Sequence, residues 1–291
     1  MKDSPMANPR RLAHRAGRDS SAKSSAIVQI TIFGDWHGNT HFAQQALSVA
    51  SLLRPDSHLL HLGDFSLWPG DYGARYLHEI NDMLSEPLLV VPGNHEYWTE
   101  IVLGSTVFGF SDLDDNGFLY TPRYPNIRVC ERTAVWSWNG ITLAALAGAN
   151  SIDFQHRTKG KSWWPEESPT MAHVDQLDAH VNGRPIDVLV THDAPSDAVR
   201  ALNLYPPETQ ADWSTAAITY ATESGDVVEA ARRRLRPRIQ ACGHHHVRKT
   251  CVLDDTTIEL LADDSHRSIR ANRLDLDLTT PEHTPQHTPR D

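Results

Sequence analysis

The chain of 291 residues is 40% apolar and carries 27 Lys and Arg against 37 Asp and Glu, a net charge of −10 with its 17 histidines neutral; this length suits one large or two ordinary domains. No apolar run approaches the roughly 18 to 20 residues needed to cross a bilayer, and the N-terminus lacks the apolar block of a secretory signal, so a membrane protein is excluded and export is not expected. Three cysteines, Cys130, Cys242 and Cys251, without C-x-x-C spacing exclude a disulfide framework, and the expected compartment is reducing and cytoplasmic.

In chain order, residues 1–25 hold six Lys or Arg and few large apolar side chains, the composition of a disordered basic arm. Its Arg10-Arg11 pair is not followed by the apolar stretch of a twin-arginine signal. Without the arm the remainder is more acidic than the whole, so no specific nucleic-acid partner is expected. Residues 27–33 are β-branched and apolar and predict a strand. Asn39 or Thr40 then caps a helix that places Phe42, Ala46, Ala50 and Leu53 on one face. A second strand is expected at 58–62, followed by a helix with Tyr76, Leu77, Ile80, Met83 and Leu84 as its buried stripe, and a third strand at 88–91. Successive units of this kind predict a largely parallel sheet covered by helices, because each crossover needs a dozen residues or more.

Beyond residue 125 the strands become closely spaced, at 127–130, 134–138 and 141–146. The last two are joined by Asn139-Gly140, a hairpin turn signal. Ser168-Pro169 opens a helix with Met171, Val174, Leu177 and Val181 inward. A buried strand at 186–190, a helix at 227–235 ended before Pro237, and a short strand at 239–241 complete the pattern. The Thr-Pro/His sequence of 279–291 reads as a disordered tail, and 26–278 are expected to form one domain of the α/β class.

Five apolar runs are followed directly by residues of metal-ligand type: Gly34-Asp35-Trp36-His37-Gly38, Gly63-Asp64, Gly93-Asn94-His95-Glu96, Thr191-His192-Asp193 and Gly243-His244-His245-His246. A single Asp or His after a strand is usually a helix cap or a solvated loop residue. Five such sites have no such explanation, and in open α/β sheets ligands bind beyond the carboxyl ends of strands, so these groups are expected to meet in one crevice.

With these blocks in this order, D-x-H, G-D, G-N-H-E, H and G-H-x-H, the sequence resembles the calcineurin-like metallophosphoesterase superfamily over about residues 28–246. The resemblance implies a four-layer α/β/β/α sandwich of two mixed sheets with a two-metal centre at one edge. It implies that Asp35, His37 and His246 hold one ion, that Asn94, His192 and His244 hold the other, and that Asp64 bridges both. It further implies attack on phosphorus by a metal-bridging hydroxide, with His95 contacting the phosphate and assisting the leaving group. Mixed imidazole, carboxylate and amide donors without thiolate suit Mn²⁺ first, then Fe, Zn²⁺, Co²⁺ or Ni²⁺. Glu96 is expected either to orient His95 or to begin the next helix. His245, at the variable position, and Asp193 are not expected to be ligands.

The loop from Gly148 through Asp153, Arg157 and Gly160 to Ser162-Trp163-Trp164-Pro165-Glu166-Glu167 resembles a signature of bacterial and phage members that borders the metal site. Arg157 is a candidate phosphate contact together with Asn94 and His95, and Trp163 or Trp164 a candidate pocket wall. The alternative is a structural ion pair for Arg157 and a packing role for the tryptophans. The expected activity is metal-dependent hydrolysis of a small phosphomonoester or phosphodiester. A phosphoprotein phosphatase and a non-catalytic binding scaffold on the same fold are the alternatives, and a nuclease is disfavoured by the acidic body.

Overall fold

The computed structural model describes residues 27–279 apart from 104–108, 111, 115 and 206–211. The basic arm expected at 1–25 and all but the first residue of the expected tail lie outside the described residues. The apolar, β-branched run near the start forms β1 (Val28–Phe33), which pairs in parallel with β2 (His58–His61), and β2 pairs in parallel with β3 (Leu88–Val90). The crossovers are α1 (Thr40–Leu53) and α2 (Asp71–Asn81). Asn39 caps α1 by accepting the Phe42 N–H at 3.2 Å, and Phe42, Ala43, Ala46, Leu47 and Ala50 form its buried stripe.

After α3 (Trp98–Leu103) the sheet is extended by β4 (Asp112–Leu113), β5 (Phe118–Tyr120) and β6 (Ile127–Cys130), giving the order β4-β5-β6-β3-β2-β1. The chain then builds a second sheet from β7 (Thr133–Trp138), β8 (Ile141–Leu146), β9 (Val188–Thr191), β10 (Ile239–Cys242), β11 (Lys249–Leu253) and β12 (Thr256–Leu260), ordered β7-β8-β9-β10-β12-β11. The β7/β8 hairpin turns at Asn139-Gly140, both at positive φ (46° and 85°), as its sequence predicts. Helices α4 (Met171–Val181), α5 (Ser196–Ala201) and α6 (Thr215–Leu235) connect the strands, and α7 (Ile269–Asn272) leads into β13 (Arg273–Leu278). β13 returns to the first sheet and runs antiparallel beside β1.

Burial divides this into four layers. Ile30, Ile32, Leu60 and Val90 of the first sheet share one buried cluster with Leu143, Val188 and Val190 of the second. Val174 and Leu177 of α4 and Val228 and Ala231 of α6 pack with Ala144, Leu146 and Leu189 on the far face of the second sheet. Both sheets are mixed, as the resemblance implies: the parallel pairing expected of successive strand-helix units holds for β1-β2-β3-β6 and β8-β9-β10-β12, while the flanking strands reverse.

Three expected core residues are exposed. Leu53 is the last residue of α1, Met83 follows the end of α2, and Met171 is the first residue of α4, so each lies where its helix runs past the sheet it covers. The helix expected at 227–235 begins twelve residues earlier, at Thr215, under a Ser214 cap. Gly225 had hidden that continuity. A Cβ there would lie 3.3 Å from the Ala194 carbonyl oxygen, so the glycine serves the close approach of α6 to the segment before α5.

Candidate metal centre

The parallel registers align strand tips, Phe33 with His61, His61 with Val90, and Thr191 with Cys242, so that the segments following them emerge at one edge of the sandwich. Asp35 and His37 come from the end of β1, Asp64 from β2, Asn94 and His95 from β3, His192 from β9, and His244 and His246 from β10. His37, Asp64, His244 and His246 all have left-handed backbones (φ 45°, 51°, 63° and 55°), a conformation uncommon outside glycine and concentrated at functional sites. The glycines before the candidate donors leave room for them: a Cβ on Gly93 would lie 2.4 Å from Asp64 Oδ1, and one on Gly243 would lie 2.2 Å from Asp35 Oδ1.

The donors form two poles. At the more open one, Asp35, His37, Asp64 and His246 offer atoms all within 4.8 Å of one another. His246 Nε2 is 3.2 Å from Asp35 Oδ2, and His37 Nε2 is 3.4 Å from Asp64 Oδ2. The remaining nitrogens face a pair of carboxylates, His37 Nδ1 at 3.0 Å from Asp264 and His246 Nδ1 at 3.3 Å from Asp263. Burial opposes charge on His37, but Asp264 and Asp64 outweigh it and push the imidazole up to about 11 in the ion-free chain. Asp263 and Asp264 were missed in the sequence, although they too directly follow a run, 258–262, that is apolar but for Glu259.

At the other pole Asn94 and His192 are buried and His244 partly so. His192 donates Nδ1–H to the Leu62 carbonyl at 2.7 Å, which turns Nε2 toward Asn94 Oδ1 at 3.0 Å and Asp64 Oδ1 at 3.4 Å. The Asn94 amide is oriented by its own donor, since Nδ2 donates to Ser151 Oγ at 2.9 Å and that hydroxyl donates to Glu167 Oε2 at 3.0 Å. Glu167 also accepts from the Ser151 N–H, Trp163 Nε1 and the Tyr220 hydroxyl. Burial lifts its carboxyl to about 7 against those hydrogen bonds. His244 lies with its ring centroid 5.0 Å from that of His192, and its backbone N–H donates to the Asp35 carboxylate. Burial presses the His244 imidazole down to about 3, offset in part by Asp193.

His95 stands between the poles and solvent, with Nε2 at 3.9 Å from Asp64 Oδ2 and its backbone N–H donating to Asp64 Oδ1 at 2.8 Å. Arg157 donates to His95 Nε2 at 2.6 Å and pairs with Asp153 at 2.7 Å, so it reaches the site and is also part of an ion pair. Neither role expected for Glu96 is its position in the fold. Its buried carboxylate accepts the N–H groups of Asp64, Phe65, Ser66 and Gly93, clamping the β2 loop to the β3 loop, and α3 starts two residues later. His245 turns away to Asp193 at 3.0 Å. Trp164 is buried against Trp68 and Tyr97, and Trp163 bonds Glu167, so both serve packing and positioning.

Two buried carboxylates, Asp35 and Asp64, are both held below the usual carboxylate range; burial works against this, and His192 heads the charges that outweigh it. With Nδ1–H committed to Leu62, a neutral His192 would aim its Nε2 lone pair at two oxygen acceptors. Only a proton or a cation resolves that, and in the ion-free chain the imidazole is pushed up to about 10, burial opposing and Asp64 and Asp35 prevailing. Mixed nitrogen and oxygen donors without thiolate therefore fit divalent ions.

Comparison with solved structures bears on the fold. TT1561 of Thermus thermophilus superposes with a TM-score of 0.55 at 11% identity, covering 88% of this chain and all of its own. A dimetal phosphatase from Danio rerio gives 0.53 at 15% identity over 87% of this chain and 93% of that one. A 5'-nucleotidase from Staphylococcus aureus, described as putative, gives 0.50 at 13% identity over 86% of this chain but 51% of its own. No protein of curated function matches the sequence. No helix among the described residues is long and apolar enough to cross a membrane. The sequence profile of calcineurin-like phosphoesterases matches residues 28–248, which takes in every strand tip that contributes a donor to the two poles, and the chain belongs to that family.

Proposed function

We propose that the protein hydrolyses phosphate esters with two divalent ions, one held by Asp35, His37 and His246, the other by Asn94, His192 and His244, with Asp64 shared. The observation that carries this reading is the split of Asp64: Oδ2 faces His37 at the open pole, Oδ1 faces His192 at the buried pole, each at 3.4 Å. Bound there, a pair of such ions supplies an acidified water as nucleophile and neutralises charge on the phosphoryl oxygens. Mn²⁺ is the first ion to test.

The chain's own groups do the rest. Arg157 meets a phosphoryl oxygen with a guanidinium already aimed by Asp153. In the free protein burial lowers the proton affinity of His95, Asp64 raising it and Arg157 lowering it further. A phosphate dianion draws off the Arg157 N–H and adds negative charge beside the ring. That raises the affinity again and lets His95 give its proton to the departing oxygen. Glu96 holds the two loops that carry Asp64 and His95 at a fixed separation.

The test is hydrolysis of an aryl phosphomonoester and a bis-aryl phosphodiester by metal-stripped protein refilled with Mn²⁺, Zn²⁺ or Mg²⁺, with bound ions counted. Refilling should restore turnover and two ions per chain. Asp64→Asn should lose ions, whereas His95→Gln should keep both and lose roughly 10²- to 10⁴-fold in turnover. Absence of metal-restored turnover with either ester overturns the reading, and equal ion loss in both variants overturns the division of roles.

A further inference from the structure

A cavity of about 400 Å³ opens beside the buried pole, within the size range of small-molecule sites. Its inner wall is continuous with that pole. His244 itself faces it, with Asp193, the neighbour of His192, and Ile152, the neighbour of the Ser151 that orients Asn94. Its body is apolar, built from Val199 of α5, Ile218 and Ala221 of α6, and Trp213. Arg200, Asn203, Tyr205 and Thr222 also line it, and two further polar features bear on a ligand. The His245–Asp193 pair at 3.0 Å is tied down on its own account, but the Ser196 hydroxyl, on a residue 4% exposed, is buried with no hydrogen-bond partner among the described residues. A buried hydroxyl without a partner is unfavourable, so its presence on the wall of a cavity points to a ligand group that completes it.

We propose that this cavity receives the organic group of the substrate ester, an apolar body of ring size bearing a polar substituent for Ser196. The inference rests on the phosphoesterase reading and adds the substrate class to it. A short polyol or a bare alkyl group would leave the walls formed by Val199, Ile218 and Trp213 wet and gain little from them. A flat ring would displace that water while its phosphate lies past His244, at the metal centre. Selectivity then comes from α5 and α6 rather than from the metal ligands.

The experiment compares 2-(1-naphthyl)ethyl phosphate with ethyl phosphate, whose leaving alcohols have similar basicity, on the Mn²⁺-loaded protein. Binding of 2-(1-naphthyl)ethylphosphonate is measured in parallel by calorimetry. Wild type should favour the naphthyl ester at least tenfold in kcat/KM. Ala221→Trp, which fills the cavity, should remove that preference and weaken phosphonate binding at least tenfold; Ile218→Ala, which widens it, should reduce the preference without filling the space. Hydrolysis of both esters with a preference unchanged in both variants overturns the cavity proposal and leaves the phosphoesterase reading standing. If the wild type hydrolyses neither these esters nor the aryl esters above, the phosphoesterase reading falls; hydrolysis of the aryl esters alone leaves that reading standing and overturns the substrate proposal. The cavity then stands as a binding site only if Ala221→Trp abolishes phosphonate binding, and falls if it does not.

Discussion

The two poles are built from the same residue types and held in opposite ways. At the open pole, His37 and His246 are partly exposed (27% and 43% of the side chain), and both are backed by carboxylates, Asp264 and Asp263. At the buried pole, His192 is wholly enclosed and is backed by a backbone carbonyl, while Asn94 is set by a hydroxyl and a carboxylate two bonds removed. The open pole thus relies on negative charge that water can partly replace, and the buried pole on the hydrogen-bond geometry of Asn94 and His192, both closed to water. Damage behind the buried pole should therefore be costly and specific, and damage behind the open pole milder.

The largest expected effect comes from the brace behind the buried pole. Arg132, buried over the Trp98 ring at 3.9 Å, donates to the carbonyls of Ala147, Glu166 and Glu167 and so fixes the turn that carries Glu167. Gly148 sits in that gap at φ 97°, where a Cβ would fall 2.1 Å from the Glu167 carbonyl oxygen and 2.3 Å from Arg132 Nη1. Gly148→Ala should lower stability by about 3–5 kcal/mol in urea unfolding. Gly160→Ala, at φ 75° with open space around it, should lose about 1–2 kcal/mol from backbone strain alone. Equal losses would show that the brace is slack.

Next in size is Ser151→Ala, which removes both the acceptor for Asn94 Nδ2 and a donor to Glu167 while leaving every candidate ligand in place. Ion titration should show affinity at one of the two sites falling about 10- to 100-fold, with the other unchanged. A uniform fall at both sites would dissolve the distinction between the poles.

How much of this was legible in the sequence follows from where each signal resides. The donors could be read because each lies directly after an apolar run, and strand tips in an α/β sheet share an edge. The exposed Leu53, Met83 and Met171 were misread because periodicity marks a helix face but not where the helix leaves its sheet. Besides the nearby Gly93 and Trp163, Glu96, Ser151 and Glu167 act through partners 16 to 57 residues away, on loops whose approach is set by packing. Nothing local distinguishes a carboxylate that caps a neighbouring loop from one in a helix's first turn. Glu167 was at least inside a quoted motif, whereas Asp263 and Asp264 required the rule of strand tips to be carried one strand further, past β12.

Those two aspartates set the third expectation. Asp264→Asn keeps the shape but replaces the charge behind His37, and with His37 partly exposed, water can stand in for much of what is lost. Ion affinity at the open pole should fall about tenfold, at the low end of what removing a ligand's hydrogen-bond partner costs. A loss as large as that of Ser151→Ala would contradict the view that exposure softens this pole.

The smallest effect concerns His61, which lies beneath both poles with its ring centroid 4.4 Å from that of Trp36 and 5.0 Å from that of Phe65. Its Nδ1 accepts the Gly63 N–H, and burial presses the imidazole down to about 3, the nearby Asp35 raising it only in part. An unfolded histidine titrates near 6.5, so between pH 6.5 and 3 the unfolded chain binds a proton that the folded chain refuses. The stabilisation from keeping His61 neutral is therefore complete above pH 6.5 and is lost progressively as the pH falls. The slope approaches about 1.4 kcal/mol per pH unit for this one group. His61→Asn retains an acceptor for Gly63 but cannot titrate. In the metal-stripped protein its urea stability, though lower overall, should fall less steeply than that of wild type from pH 6 to pH 5, by about 1 kcal/mol. Parallel slopes would mean that His61 is protonated in the fold, and that the layer under the poles is wetter than its burial implies.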